Sequence, residues 1–241
     1  MVSVLAMLLL LPFEVYLAAG DTEYTMLRYA QAESLYVLAL TVAPERPEIL
    51  WRLARLCVSI ADVSPDAERE RLYQKAEQYA RACIEQNEQI AEGHTWLAAA
   101  LGNIAMFEGG ATKVKLARTI YREVQRAIEL NPNDDIAYSI LGSFYRALGG
   151  VSWIERQLAN MFLGGLPDGG YREAVEALEN AIALAPDVMR HRYELGMVYL
   201  DWGRKVEAKA EFLEALQLPV TLRSDTTRIA EMRDIISRLP D

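Results

Sequence analysis

Apolar residues recur along this chain at three- and four-residue intervals, and no stretch of five or more positions alternates apolar with polar in the manner of a strand. The clearest unit is a small residue, a large one four places on, another small one three places later, and then a proline. Ala32, Tyr36 and Ala39 precede Pro44; Ile120, Val124 and Ala127 precede Pro132; Ala174, Leu178 and Ala181 precede Pro186; Ala208, Phe212 and Ala215 precede Pro219. Spacing of four and three puts each triplet on one helix face, the alanines allow a second helix to come close, and the proline stops the helix. The pattern predicts an all-α protein.

Ahead of two of these helices stands a complementary unit. Tyr138, Leu141, Gly142 and Tyr145 form one copy, and Arg192, Leu195, Gly196 and Tyr199 another. Both match the spacing of the first helix of a tetratricopeptide repeat. Trp51 with Ala54, and Trp96 with Ala99 and Ala100, read as degenerate copies, whose second helices fall near 66–86 and 112–130. The expected architecture is a tetratricopeptide-type α-solenoid of about four helix pairs, with a lead helix over 24–41 and a capping helix over 225–238. One interval breaks the period. Tyr145 lies 29 residues before Ala174, whereas Tyr199 lies 9 before Ala208, so about 20 residues are inserted in the third pair. Glycine pairs bracket that insert around an amphipathic helix expected over 152–163.

Residues 1–20 stand apart from the repeat domain expected over 21–241. An apolar run from Val2 to Leu11 is followed by small residues at Ala18, Ala19 and Gly20, as in a secretory signal, yet no Lys or Arg precedes it and Glu14 interrupts it. A cleaved signal, a retained membrane anchor or packed helix, and a mis-assigned start are the three readings. The first two place the body at a membrane or in a periplasm.

Charge and chemistry narrow the function. A net charge of −9 opposes phosphate backbones, so nucleic acid is excluded as a general partner. Cys57 and Cys83 read as small buried hydrophobes too far apart along their hairpin for a disulfide. His94 and His191 have no Cys or carboxylate at ligand spacing, and the nucleophile, phosphate-loop and metalloprotease motifs are missing, so no catalytic residue, metal or cofactor is expected and the chain reads as a non-enzyme. Asp134 and Asp135, just past Pro132, read as helix caps.

Beyond the repeat itself, the chain resembles the regulator of microtubule dynamics family. The likeness is carried by WRLARLC (Trp51 to Cys57), AIELNPND (Ala127 to Asp134), the insert residues Ser152, Trp153, Glu155 and Arg156, YELGMVYL (Tyr193 to Leu200) and LQLPV (Leu216 to Val220), and it covers most of 45–240. The resemblance implies a helical domain without enzyme activity, associated in eukaryotes with microtubules and membrane contact sites, where lipid binding is discussed. Two departures stand out: the signal-like N-terminus and the absence of a polybasic tail.

Helix phase, counted from the repeat landmarks, turns a set of residues toward a concave groove: Arg52, Leu56 and Ser59; Leu97, Leu101 and Ile104; Ser139, Ser143 and Arg146; Tyr193, Met197 and Leu200. Arg156 and Arg190 join Arg146 as candidate cations, and Trp153 marks the insert. Two readings stay open. The insert helix, through Trp153, Leu158 and Met161, fills the groove and completes the core, with Trp153 its anchor and Glu155 and Arg156 a half-exposed pair. Alternatively the groove takes apolar cargo whose anionic end an arginine pairs. The partner is accordingly expected to be a protein or a larger assembly's subunit, with a lipid as the alternative.

Overall fold

The computed structural model describes residues 11–162 and 165–239. Among them are twelve helices and no strand: α1 (Phe13–Thr25), α2 (Tyr29–Val42), α3 (Pro47–Ala61), α4 (Asp66–Gln86), α5 (Ala91–Glu108), α6 (Gly110–Leu130), α7 (Asp135–Gly149), α8 (Trp153–Phe162), α9 (Tyr171–Leu184), α10 (Met189–Asp201), α11 (Lys205–Ala215) and α12 (Asp225–Arg238). Neighbours pack as pairs α1/α2, α3/α4, α5/α6, α7/α9 and α10/α11, and each pair stacks on the next, giving the repeat solenoid expected.

Small residues set the pairing. A Cβ on Gly196 would lie 2.5 Å from the Phe212 ring, one on Gly142 2.5 Å from Leu178, and one on Gly20 2.5 Å from the Tyr36 ring. Each large partner is the middle residue of a small-large-small triplet and is fully buried. Gly20 and Gly196 each stand 16 residues before their ring, and Gly142 stands 36 before Leu178, the same interval lengthened by the insert. In α4 the triplet is Ala76, Ala80 and Cys83, all fully buried, with no proline behind it. Both cysteines are free, and Cys83 Sγ donates to the Pro47 carbonyl at 3.3 Å. At the other helix ends, Pro47 opens α3 and Asp134 caps α7, its Oδ1 accepting from the Ala137 amide at 3.0 Å.

The expectation changes at the N-terminus. The lead helix is the second half of a pair: α1 runs through the division drawn at 20/21, with Tyr16, Leu17 and Gly20 buried against α2 and α3. Of the small residues that resemble a cleavage site, Gly20 is where this pair packs closely, while Ala18 is exposed. Residues 1–10, the bulk of the apolar run, lie outside the described residues. Asp21 ties the pair to α3: its carboxylate accepts from Tyr36 Oη at 2.7 Å, Arg52 Nε at 2.9 Å and Arg55 Nη2 at 3.0 Å.

At the far end α12 does more than cap. Met232 and Ile235 pack on α10 and α11, while the segment leading into α12 returns to the first repeat, with Leu222 against the N-terminal cluster. Arg223 donates to the Leu27 carbonyl at 2.7 Å and its guanidinium lies 4.8 Å from the Tyr29 ring centroid. Leu27, at φ +60°, holds the turn between α1 and α2 in the left-handed region that side chains disfavour. Contacts spanning 196 residues thus join the first repeat to the last.

Candidate functional site

Helix α5 carries Ala98, Ala99 and Gly102 on one face, and nothing lies within 4 Å of where a Gly102 Cβ would be. Gly102 opens space where Gly196 fills it. The result is a cavity of about 310 Å³ on the concave side, at the lower end of ligand-pocket sizes. The first helices of successive pairs floor it, through Val58, Gly102 and Ile140, and the start of α6 walls it with Lys113, Val114 and Ala117. Val151 and Leu166, flanking α8, reach its edge, and Arg228 of α12 closes it opposite Asp62, 4.0 Å away.

Of the groove residues read from the sequence, the structure brings Ser139, Ser143 and Arg190 together at this cavity. Leu56, Leu97, Leu101 and Ile104 are buried between helices, because the bulkiest apolar side chains of a first helix are the ones that fill the space between pairs. The residues one step round α5, Ala98 and Gly102, face the hollow instead. Arg52 is held by Asp21, as described, and Ser59 by the Tyr24 hydroxyl at 2.8 Å. Arg146 bridges α7 to α10, with Nε 2.6 Å from Asp201 and Nη1 3.5 Å from Glu194. Tyr193 donates to Glu231 at 2.8 Å, and burial pushes its phenol pKa well up; Met197 and Leu200 pack in the same C-terminal cluster.

The insert does not fill the groove. Trp153 is 74% exposed and Met161 71%, with Ile154 and Leu158 also outward, while among the described side chains of α8 Ala159 is the buried one. Ser152 and Glu155 form a capping box: the Glu155 amide donates to Ser152 Oγ at 3.3 Å, and the Glu155 carboxylate accepts from the Ser152 amide at 2.9 Å and hydroxyl at 2.7 Å. Those hydrogen bonds hold the Glu155 carboxyl below its usual pKa. Arg156 does not pair with Glu155. It donates to the carbonyls of Leu148 at 3.3 Å, Pro167 at 3.2 Å and Gly169 at 3.5 Å, stitching both ends of the insert to each other. The end expected at residue 163 lies outside the described residues.

The two histidines serve the frame. His94 Nδ1 sits 2.7 Å from Glu123 and Nε2 2.9 Å from the Glu88 carbonyl. Burial depresses the imidazole pKa, but the Glu123 hydrogen bond and charge outweigh it and hold the group above its ordinary value. His191, fully buried, meets Asp135 at 2.8 Å; burial dominates there, and its pKa is lowered. Among the described residues no cluster of three His, Cys, Asp or Glu side chains could hold a metal ion.

The sequence model of the family described as Regulator of microtubule dynamics protein 1-3 matches residues 17–240. The chain belongs to that family. Its regulator of microtubule dynamics protein 1 from Bos taurus is 27% identical over 233 residues, covering 95% of this chain and 73% of the relative. The Homo sapiens protein 1 is 29% identical over 178 residues, 73% of this chain and 57% of its own length. Among solved structures, TTC0263, a tetratricopeptide protein of Thermus thermophilus, superposes with a TM-score of 0.69 at 22% identity, over 93% of this chain and 99% of that one, which establishes a shared fold. The family match begins at residue 17, inside α1, in keeping with a first pair that belongs to the repeat domain.

Proposed function

We propose that this protein is a non-enzymatic tetratricopeptide scaffold that holds a segment of a partner protein in its concave cavity, as a subunit of a larger assembly at a membrane or in a periplasm. The observation that carries the reading is the hollow itself. Alanine and glycine on α5 keep open an apolar space that a chain selected only for stability would fill. The fold and the family support protein partners, and the two acids at the hollow, Asp62 and Glu194, are each paired with an arginine. Capture from native membranes with the wild-type chain and with Gly102→Leu tests it. The partner is expected to co-purify with the wild type alone, and equal recovery with both chains would overturn the reading.

A lipid-carrying module is the second reading. The exposed apolar face of α8, Trp153, Ile154, Leu158 and Met161, lies between Val151 and Leu166, which border the cavity, so an apolar route from a bilayer to the hollow favours it. No described helix is long and apolar enough to cross a membrane, so such contact would be interfacial. Native mass spectrometry should then show bound phospholipid, and a clean apo mass would remove this alternative.

A further inference from the structure

The charges at the cavity do not cancel. Its two acids are already taken: Glu194 by Arg146 at 3.5 Å, with the Ser143 hydroxyl at 3.5 Å, and Asp62 by Arg228 at 4.0 Å and by Tyr73 Oη at 3.3 Å. Arg228 is in turn held by Asp225 at 3.1 Å. Two cations remain. Lys113 at the start of α6 and Arg190 at the start of α10 make no hydrogen bond or ion pair among the described residues, and Arg190 Nε is buried without a partner. Keeping a guanidinium N–H from water without an acceptor is unfavourable, and a carboxylate is the group whose two oxygens match its fork.

We infer that the cavity selects a protein segment in which apolar side chains surround one carboxylate, with Arg190 the residue that pairs that carboxylate and Lys113 adding charge at the mouth. This rests on the scaffold reading and specifies its partner. The small volume suits a few aliphatic side chains rather than a whole helix, and most of the lining is apolar. An amide in place of the acid would satisfy the Arg190 fork with one oxygen only, so replacing Glu by Gln is expected to weaken binding about ten- to a hundredfold.

The test is an array of octapeptides with apolar cores and blocked termini, each made three times with a central Glu, Gln or Lys, probed with the full chain and with Arg190→Gln and Arg190→Lys. Melting curves confirm that each variant is folded. The expected result is capture in the order Glu, Gln, Lys; loss of the Glu advantage in Arg190→Gln, with the Gln peptides weakened less than the Glu ones; and partial recovery of that advantage in Arg190→Lys. Indifference to the central residue, or a Glu preference that survives Arg190→Gln, would overturn the inference while leaving the scaffold reading standing. Capture of no peptide at all, with nothing recovered from native membranes, would remove both. Arg190-dependent uptake of oleate from dioleoylphosphatidylcholine vesicles doped with free oleate, with no peptide bound, would reassign the site to a lipid and overturn the peptide.

Discussion

Gly102 and Gly196 sit in first helices of their pairs and answer one substitution with opposite signs. Alanine at 102 meets open space and gains helix propensity, so Gly102→Ala is expected to raise stability by about 0.5–1 kcal/mol. At 196 the new methyl would press into the fully buried Phe212 ring, so Gly196→Ala is expected to cost about 1–3 kcal/mol despite the same propensity gain. Urea titration of both variants checks the pair. The histidines give a second contrast. His94, raised, contributes stability below the ordinary imidazole value that is lost as pH climbs through its folded one; His191, lowered, contributes stability above the ordinary value that is lost as pH falls. Relative to wild type, His191→Gln should therefore lose stability as pH rises toward about 6.5, whereas His94→Gln should gain it as pH rises above about 6.5. Parallel slopes in the two variants would contradict the assignment.

Among the elements, helix boundaries were the most legible. The degenerate repeat copy at Trp51 and the cap residues Ser224 and Asp225 placed α4 at 66–86 and α12 at 225–238, the bounds observed, since local chemistry decides where a helix ends. Partners of a helix are less legible. Residues 1–20 read as a signal-like or anchor segment because small residues serve equally in a cleavage site and in a close helix contact, and the packing of Gly20 on Tyr36, at the interval shared by Gly196 and Phe212, had no signal in the local pattern. The groove face of α5 was displaced by one position for a similar reason: hydrophobicity points to Leu97 and Leu101, but those bury between helices and leave Ala98 and Gly102 to the hollow. Arg190 could be nominated from the sequence, yet its standing apart from Arg146 and Arg156 depends on which acids and carbonyls those two find. For α8, whose apolar face is exposed, Trp153→Ala is expected to leave the melting transition within about 0.5 kcal/mol of wild type. A large loss would mean that the ring is docked.

Across the whole molecule, the contacts made by 222 and 223 with the first repeat had no local signal, since nothing near Leu27 or Arg223 in sequence names the other. They turn a stack with two free ends into a loop. Arg223→Ala removes the link to the Leu27 carbonyl and the Tyr29 ring and is expected to leave helix content unchanged while raising amide exchange through 218–238 and enlarging the radius of gyration in solution scattering. Unchanged exchange there would show that packing on α10 and α11 alone holds α12 in place.

If the hollow holds a partner segment as proposed, the clasp also sets how fast that segment comes and goes. For the segment proposed above, a closed stack would leave two ways in, threading lengthwise or waiting for the Arg223 contact to open. Occupancy kinetics would then level off as partner concentration rises, at a ceiling set by the unclasping frequency, and severing the clasp would lift that ceiling while shortening the residence of whatever lies inside.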